Sequence, residues 1–214
     1  IKADRLEYVK DSKSRAVSYR AIGNVEIIDS IRTAICGIAS YDAKNEEIIL
    51  NHKPRITSED RIIKGEQIKL NYTDEVLKRI FIPKNAFITS ASVGYNQLNI
   101  DSSNTLISFE DRMSSKVLNG FFVNGSLDSL RLIGMASTTY HLFEDSLYKG
   151  KNLTSGDTII MRFDEKDLDD IVVDGGSQGE YVPNKKTNDS DFPLIYSADR
   201  ICLLYTSDAA DDLR

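Results

Sequence analysis

The sequence predicts an all-β fold of stacked antiparallel strands, and three observations carry that prediction. Apolar residues recur with a period of two, turn-forming residues separate the alternating runs, and one strand–turn–strand unit is repeated. Alternation sends successive side chains to opposite faces of a strand. In chain order, Val25 and Ile27 alternate with Asn24 and Glu26, and Ile68, Leu70 and Tyr72 alternate with Lys69 and Asn71. Ile80 and Ile82 flank Phe81; Ile159, Met161 and Phe163 alternate with Ile160 and Arg162; Ile171 and Val173 flank Val172. These runs are rich in β-branched and aromatic residues, which suit a pleated, half-buried surface. Between them lie Asp29-Ser30, Asn51-His52, Thr73-Asp74, Lys84-Asn85, Asn124-Gly125, Ser155-Gly156 and Asp174-Gly175-Gly176. Short strands with turn signals at such spacing indicate an all-β architecture. No segment carries a helical stripe or the capped apolar run that opens a helix.

The repeat is in register across its whole length. Counted from Gly65, Ile68, Leu70, Tyr72, Leu77, Ile80 and Ile82 stand at offsets 3, 5, 7, 12, 15 and 17. Counted from Gly156, Ile159, Met161, Phe163, Leu168, Ile171 and Val173 stand at the same six offsets, 91 residues further on. Each unit reads as strand, acidic turn (Asp74-Glu75; Asp164-Glu165), strand, a hairpin-like element. Ala3-Asp4-Arg5-Leu6 is echoed by Ala198-Asp199-Arg200-Ile201. Repeated units of this kind stack, each burying its face against its neighbours.

Composition bounds what such a fold does. The 214 residues carry 27 Lys plus Arg against 33 Asp plus Glu, a net charge of −6, with 41% hydrophobic residues and no Trp. That apolar fraction supports a packed core. Mild acidity spread along the chain lacks the basic footprint of a nucleic-acid partner. No apolar run approaches the roughly 18 residues of a membrane-spanning helix. The chain opens Ile1-Lys2-Ala3-Asp4 with no signal-peptide pattern, so we read it as a piece of a longer protein. Residues 202–211, Cys202 to Asp211, resemble a translated sequencing-library adapter, so residues 202–214 are expected to be a non-native tail. Cys36 then stands alone, which excludes an internal disulfide framework.

Residues suited to catalysis are sparse. His52 and His141 lie 89 residues apart, outside any cluster with metal-ligand spacing, and read as turn or surface histidines. No Gly-x-Ser-x-Gly marks a nucleophile. The run Asp164-Glu165-Lys166-Asp167-Leu168-Asp169-Asp170 lacks the spacing of a calcium loop and reads as a solvated turn. No helix start follows Asp174-Gly175-Gly176-Ser177-Gln178-Gly179, so a phosphate cradle is not expected there. No enzyme, cofactor or metal centre is implied.

Four segments carry a family resemblance: Ala3-Asp4-Arg5-Leu6-Glu7-Tyr8, Ala21 to Ile27, Gly37 to Asp42 and Ile63 to Leu70. In this order they resemble the OstA-like family of lipopolysaccharide-transport proteins, the LptA family. The likeness is clearest over residues 3–89, returns over 153–201, and is weak across 90–150. Ile38 stands where the family usually has an acidic residue, a position Glu66 and Asp157 keep. The resemblance implies an open, taco-like β-jellyroll, divided here into OstA-like repeats over 1–89 and continuing repeats over 90–201. It implies a periplasmic scaffold that holds the acyl chains of lipopolysaccharide in an apolar trough and conducts them toward the outer membrane. The alternative it admits is the N-terminal periplasmic domain of the outer-membrane lipopolysaccharide-assembly receptor. Implied partners are lipopolysaccharide and other jelly-roll transport proteins added at edge strands, including end-to-end copies of this chain.

Periodicity and repeat together name the inner face: Ile27, Ile68, Leu70, Tyr72, Ile80, Ile82, Ile159, Met161, Phe163, Ile171 and Val173. A one-residue register slip would turn all of them outward. Any β-sandwich core shows such a row, so a carbohydrate-binding or adhesive module and a β-helical polysaccharide lyase stand as competing readings. Missing Trp disfavours the first, and no paired carboxylates can be placed for the second. A wide apolar trough favours lipid; a filled core with a polar outer cleft favours the others.

Overall fold

Glycines and left-handed residues mark the midpoints of the longest strands, and along that line one sheet is creased into two leaves. The computed structural model describes residues 1–10, 17–29, 31–58, 60–97, 104–164, 167–184 and 192–204. These residues form fifteen strands in a single sheet, antiparallel apart from one pairing of Leu147 with Tyr95. A meander of β1 (Arg5–Lys10), β2 (Val17–Ile28) and β3 (Arg32–Asp42) opens the chain. Short strands follow: β4 (Glu47–Asn51), β5 (Arg55–Ser58), β6 (Arg61–Lys64), β7 (Gln67–Thr73) and β8 (Val76–Ile82). Next come β9 (Ala86–Gln97), β10 (Asn104–Ser115) and β11 (Val117–Val123). Four long strands finish the sheet: β12 (Ser126–Glu144), β13 (Leu147–Asp164), β14 (Asp167–Pro183) and β15 (Leu194–Leu204).

Pairing shows how the crease arises. The end of β3 pairs with β4, while its start pairs with β5. Residues 126–133 of β12 pair with β11, while residues 137–139 pair with β10. One leaf therefore runs β4, β7, β8, β11 and the first half of β12. The other runs β5, β6, β9, β10 and the second half of β12. Where long strands cross between leaves the register shifts, between Ile22 and Val25, Ile133 and Ala136, and Asp174 and Ser177. The residues inside these shifts have positive φ: Gly23 and Asn24 (77° and 43°), Gly134 and Met135 (78° and 51°), Gly175 and Gly176 (78° and 57°). An inserted residue bends its strand, and only Gly and, at some cost, Asn enter the left-handed region readily. Met135 is the exception, with its side chain 75% exposed.

The repeat read from the sequence is also a repeat of pairing. Leu70 pairs with Ile80 and Tyr72 with Leu77, with a bulge between Asn71 and Tyr72. Met161 pairs with Ile171 and Phe163 with Leu168, with a bulge between Arg162 and Phe163. Offsets and bulge coincide. A Cβ on Gly65 would sit 2.4 Å from the Ile82 side chain, and one on Gly156 would sit 2.6 Å from Val173, so both units demand glycine at offset zero.

A third copy lies in the region where the sequence shows little resemblance. Counted from Ser115, Leu118, Gly120, Phe122, Leu127, Leu130 and Leu132 occupy the same six offsets. Gly120 pairs with Leu130, Phe122 with Leu127, and the bulge again falls between offsets 6 and 7. Three changes hid it. Ser115 replaces the leading glycine, Gly120 replaces the large residue at offset 5, and Asn124-Gly125 replaces the acidic turn. At the crease, the Glu66 and Lys116 amides donate to the carbonyls of Lys84 and Gly134 at 3.1 and 2.9 Å.

The division read at residues 89 and 90 falls inside β9. Cys202, Leu203 and Leu204 of the expected tail continue β15 and pair with β14, while residues 205–214 lie outside the described residues, as do Ser30, Glu165 and Lys166 of the turns named above.

Candidate lipid-binding trough

All eleven residues read as the inner face lie in the core between the leaves or pack against it. They divide into two groups. Ile68, Ile82, Ile159, Met161, Ile171 and Val173 are at most 1% exposed, enclosed by the protein's own side chains. Ile27, Leu70, Tyr72, Ile80 and Phe163 line cavities.

Two cavities run in series between the leaves, each about 180 Å³. A single water needs only roughly 10–15 Å³. One cavity is walled by Ile80, Leu118, Gly120, Phe122 and Leu130 from the first leaf and by Ile63, Ile88 and Met113 from the second. The other is walled by Ile48, Leu50, Leu70 and Tyr72 facing Ile27, Ala34, Ile56 and Ile63. Ile63, Ile80, Phe122 and Arg61 belong to both walls, so the cavities adjoin at that waist. Ile27 and Ile48 are shared in turn with a third apolar cavity of about 330 Å³, bounded by Leu6, Tyr8, Tyr19 and Tyr41 at the β1 end. The apolar space is thus a row that opens toward one edge of the sheet.

The repeat explains where the row widens. At offset 5 the three units carry Leu70, Gly120 and Met161. Met161 fills its place completely; Gly120, with no side chain, lets Leu130 reach within 3.0 Å of where a Cβ would stand and lines the first cavity beside it. Sequence reading missed Phe122, Leu127 and Leu130 because it missed the third copy. Ile48 and Ile63 sit on strands of five and four residues, too short for their period to be read.

Polar groups gather along one lip. Arg32 pairs with Ser58 across β3 and β5, and Ser90 of β9 pairs with both Arg61 and Asp111. All five line the cavities. The Asp29 carboxylate accepts the Ile31 and Arg32 amides at 2.8 and 2.7 Å, and its second oxygen is 3.5 Å from Arg32 Nε. Arg61 Nε is 3.3 Å from Asp60 Oδ2. Burial pushes the Tyr72 phenol above its ordinary pKa; the nearby Arg32 guanidinium partly offsets this, and Asp29 adds to it. Burial also pushes up the Cys36 thiol, with backbone hydrogen bonds near Asn51 and Ile38 opposing.

One histidine departs from its sequence reading. His52 is exposed in a left-handed turn, but His141 is buried, not at the surface. Its amide and Nδ1 both lie within hydrogen-bond reach of Asp111 Oδ1, at 2.8 and 2.7 Å, and Ser92 Oγ donates to the other carboxylate oxygen. The His141 ring stacks parallel on Phe109 at 4.4 Å, and the Tyr148 ring packs tilted on Phe109 at 4.5 Å. A nucleophilic triad needs the imidazole between hydroxyl and carboxylate. Here the carboxylate is in the middle, so the cluster ties β9, β10 and β12 together and does not activate Ser92. Among the described residues no group of three His, Cys, Asp or Glu side chains is placed to hold a metal ion.

A shallow groove lies on the second leaf, lined by Ser137, Thr139, Ser155, Gln178 and Glu180 together with Leu153 and Ile195, and by no aromatic ring. At the outer edges, β1 and β15 each have a partner on one side only among the described residues.

No family model matches the chain, and no curated protein matches it. Among solved structures the chain is similar to LptH, the LptA homologous periplasmic component of the lipopolysaccharide transport device from Pseudomonas aeruginosa. The identity is 10% and the TM-score 0.45, covering 77% of this chain and 93% of that one.

Proposed function

We propose that this chain is a periplasmic lipid-transport scaffold. It holds the acyl chains of lipopolysaccharide between its two leaves and passes them along the row of cavities toward the outer membrane. The observation that carries this reading is the row itself: apolar spaces that adjoin through shared walls and open at one sheet edge. The OstA-like order of the sequence segments supports it independently. Burial is worth about 0.8 kcal/mol per methylene, so a chain of about ten methylenes needs roughly 8 kcal/mol to leave a membrane, and a continuous apolar wall offsets most of that cost. No covalent step is required.

The cargo contacts are the cavity-lining residues Ile27, Leu70, Tyr72, Ile80 and Phe163, with Ile63 and Phe122 at the waist. The six enclosed residues shape the wall from behind. Unpaired edges at β1 and β15 invite addition of a further strand, so like jelly-roll domains, or copies of this chain, join there and lengthen the trough. A photo-crosslinker at Leu70 or Phe163 should capture lipopolysaccharide, and one at Lys69 or Arg162 on the opposite strand face should not. Equal capture at both sets would overturn the reading.

A further inference from the structure

The polar lip and the paired cavities together point to the shape of the cargo. We propose that Arg61 and Arg32 form a headgroup site for a two-chain anionic amphiphile. The phosphate lies at the lip beside Arg61, and one tail descends into each of the two adjoining cavities. This rests on the reading of the trough as a lipid holder and adds to it the residues that select the head.

Three observations converge. First, Arg61 is the only charged residue that lines both cavities among the described residues. It stands where the tails of one molecule would diverge. Second, apart from the Tyr72 phenol on the first leaf, the polar residues of both cavities come from the second leaf and the turn that leads into it, whereas Ile80, Leu118 and Leu50 wall the spaces nearer the crease. An amphiphile has the same polarity gradient. Third, each arginine makes one ion-pair contact, through Nε, and for Arg32 that nitrogen is buried without a hydrogen-bond partner. Nε faces a neighbouring aspartate, at 3.3 Å for Arg61 and 3.5 Å for Arg32, and the terminal nitrogens of both guanidinium groups have no partner among the described residues. A guanidinium fork suits bidentate contact with phosphate oxygens. Exposed ion pairs such as Arg61–Asp60 are worth about 0–1 kcal/mol, so a phosphate competes readily with the aspartate.

The test uses soluble short-chain lipids that share two identical chains and differ in head: dihexanoyl phosphatidic acid, dihexanoyl phosphatidylcholine and dihexanoylglycerol. Calorimetric titration into the full chain should show the phosphatidic acid binding at least tenfold tighter than the other two. R61Q should remove most of that preference and keep binding of dihexanoylglycerol. R112Q, on the outward face of β10 beside Glu110, should leave the preference intact. Equal binding of all three heads, or a preference unchanged in R61Q, overturns the headgroup site and leaves the trough reading standing. No binding of any of the three overturns both.

Discussion

The hairpins at 65–82 and 156–173 have the same offsets, the same pairing and the same bulge, and both send an aromatic ring at offset 7 into a cavity. Yet they differ at offsets 5 and 15, where Leu70 and Ile80 line cavities and Met161 and Ile171 are enclosed. In the second, Ile159, Met161 and Val173 are fully enclosed. In the first, Leu70, Tyr72 and Ile80 look into cavities. The difference lies in what stands opposite and beside each hairpin. The C-terminal hairpin sits between long strands on both sides, β12 and β15, and its interior residues meet large partners such as Leu130 and Leu132 across the ladder. The earlier one neighbours β11, whose Gly120 supplies no side chain, and faces the short strands β5 and β6. One hydrophobic pattern therefore yields a sealed core or an open trough according to the volume its neighbours bring.

The largest expected effect tests that contrast directly. Met161→Ala should cost about 2–5 kcal/mol of stability, the usual range for emptying an enclosed site, while Leu70→Ala at the same offset should cost about 1 kcal/mol because its site is already half open. Urea melts of the two variants measure this, and equal costs would erase the distinction. Next, Gly120→Met should convert the open unit into a sealed one. We expect affinity for acyl chains to fall about tenfold, the worth of roughly two buried methylenes, with the melting midpoint showing that the fold is kept. Undiminished binding would mean that the first cavity holds no chain.

A smaller effect is expected at the crease. Asn24 and Asn85 adopt the left-handed conformation and donate to the Asp4 and Glu66 carboxylates at 3.0 and 2.6 Å, whereas the third unit puts Met135 there with Lys116 in the acidic place. Met135→Asn should stabilise the chain by about 0.5–1 kcal/mol, since Met bears the Cβ strain of that region and its exposed side chain contributes little packing. Smallest is the alkaline limb. The Tyr72 phenol is raised in the folded state, so the folded chain keeps a proton that the unfolded chain loses. Its contribution is intact below the ordinary tyrosine pKa and lost as pH rises through the raised value. Tyr72→Phe should flatten the fall in stability above about pH 10, the ordinary tyrosine value.

The strand class, two of the three repeated hairpins and the inner face of every named strand were legible in the sequence, because period two and fixed offsets survive without knowledge of neighbours. Inward direction is a local property of Leu70 or Met161. Whether each touches cargo or core is not, since it depends on residues tens of positions away, such as Gly120. The third hairpin went unseen because it keeps the spacing and drops the markers: no leading glycine and no acidic turn. His141 was misplaced for a related reason. An isolated histidine gives no hint that Asp111, thirty residues earlier, will meet it between strands.

The crease itself has a mechanical consequence. Ladder bonds lie within each leaf, while six residues with left-handed torsions, Gly23, Asn24, Gly134, Met135, Gly175 and Gly176, fall on the line between them. Rotation about that line, hinged on the Glu66–Lys84 and Lys116–Gly134 backbone bonds, would spread the leaves like the covers of a book while the ladders within each leaf keep their register, so the width of the gap would follow the girth of anything held in it.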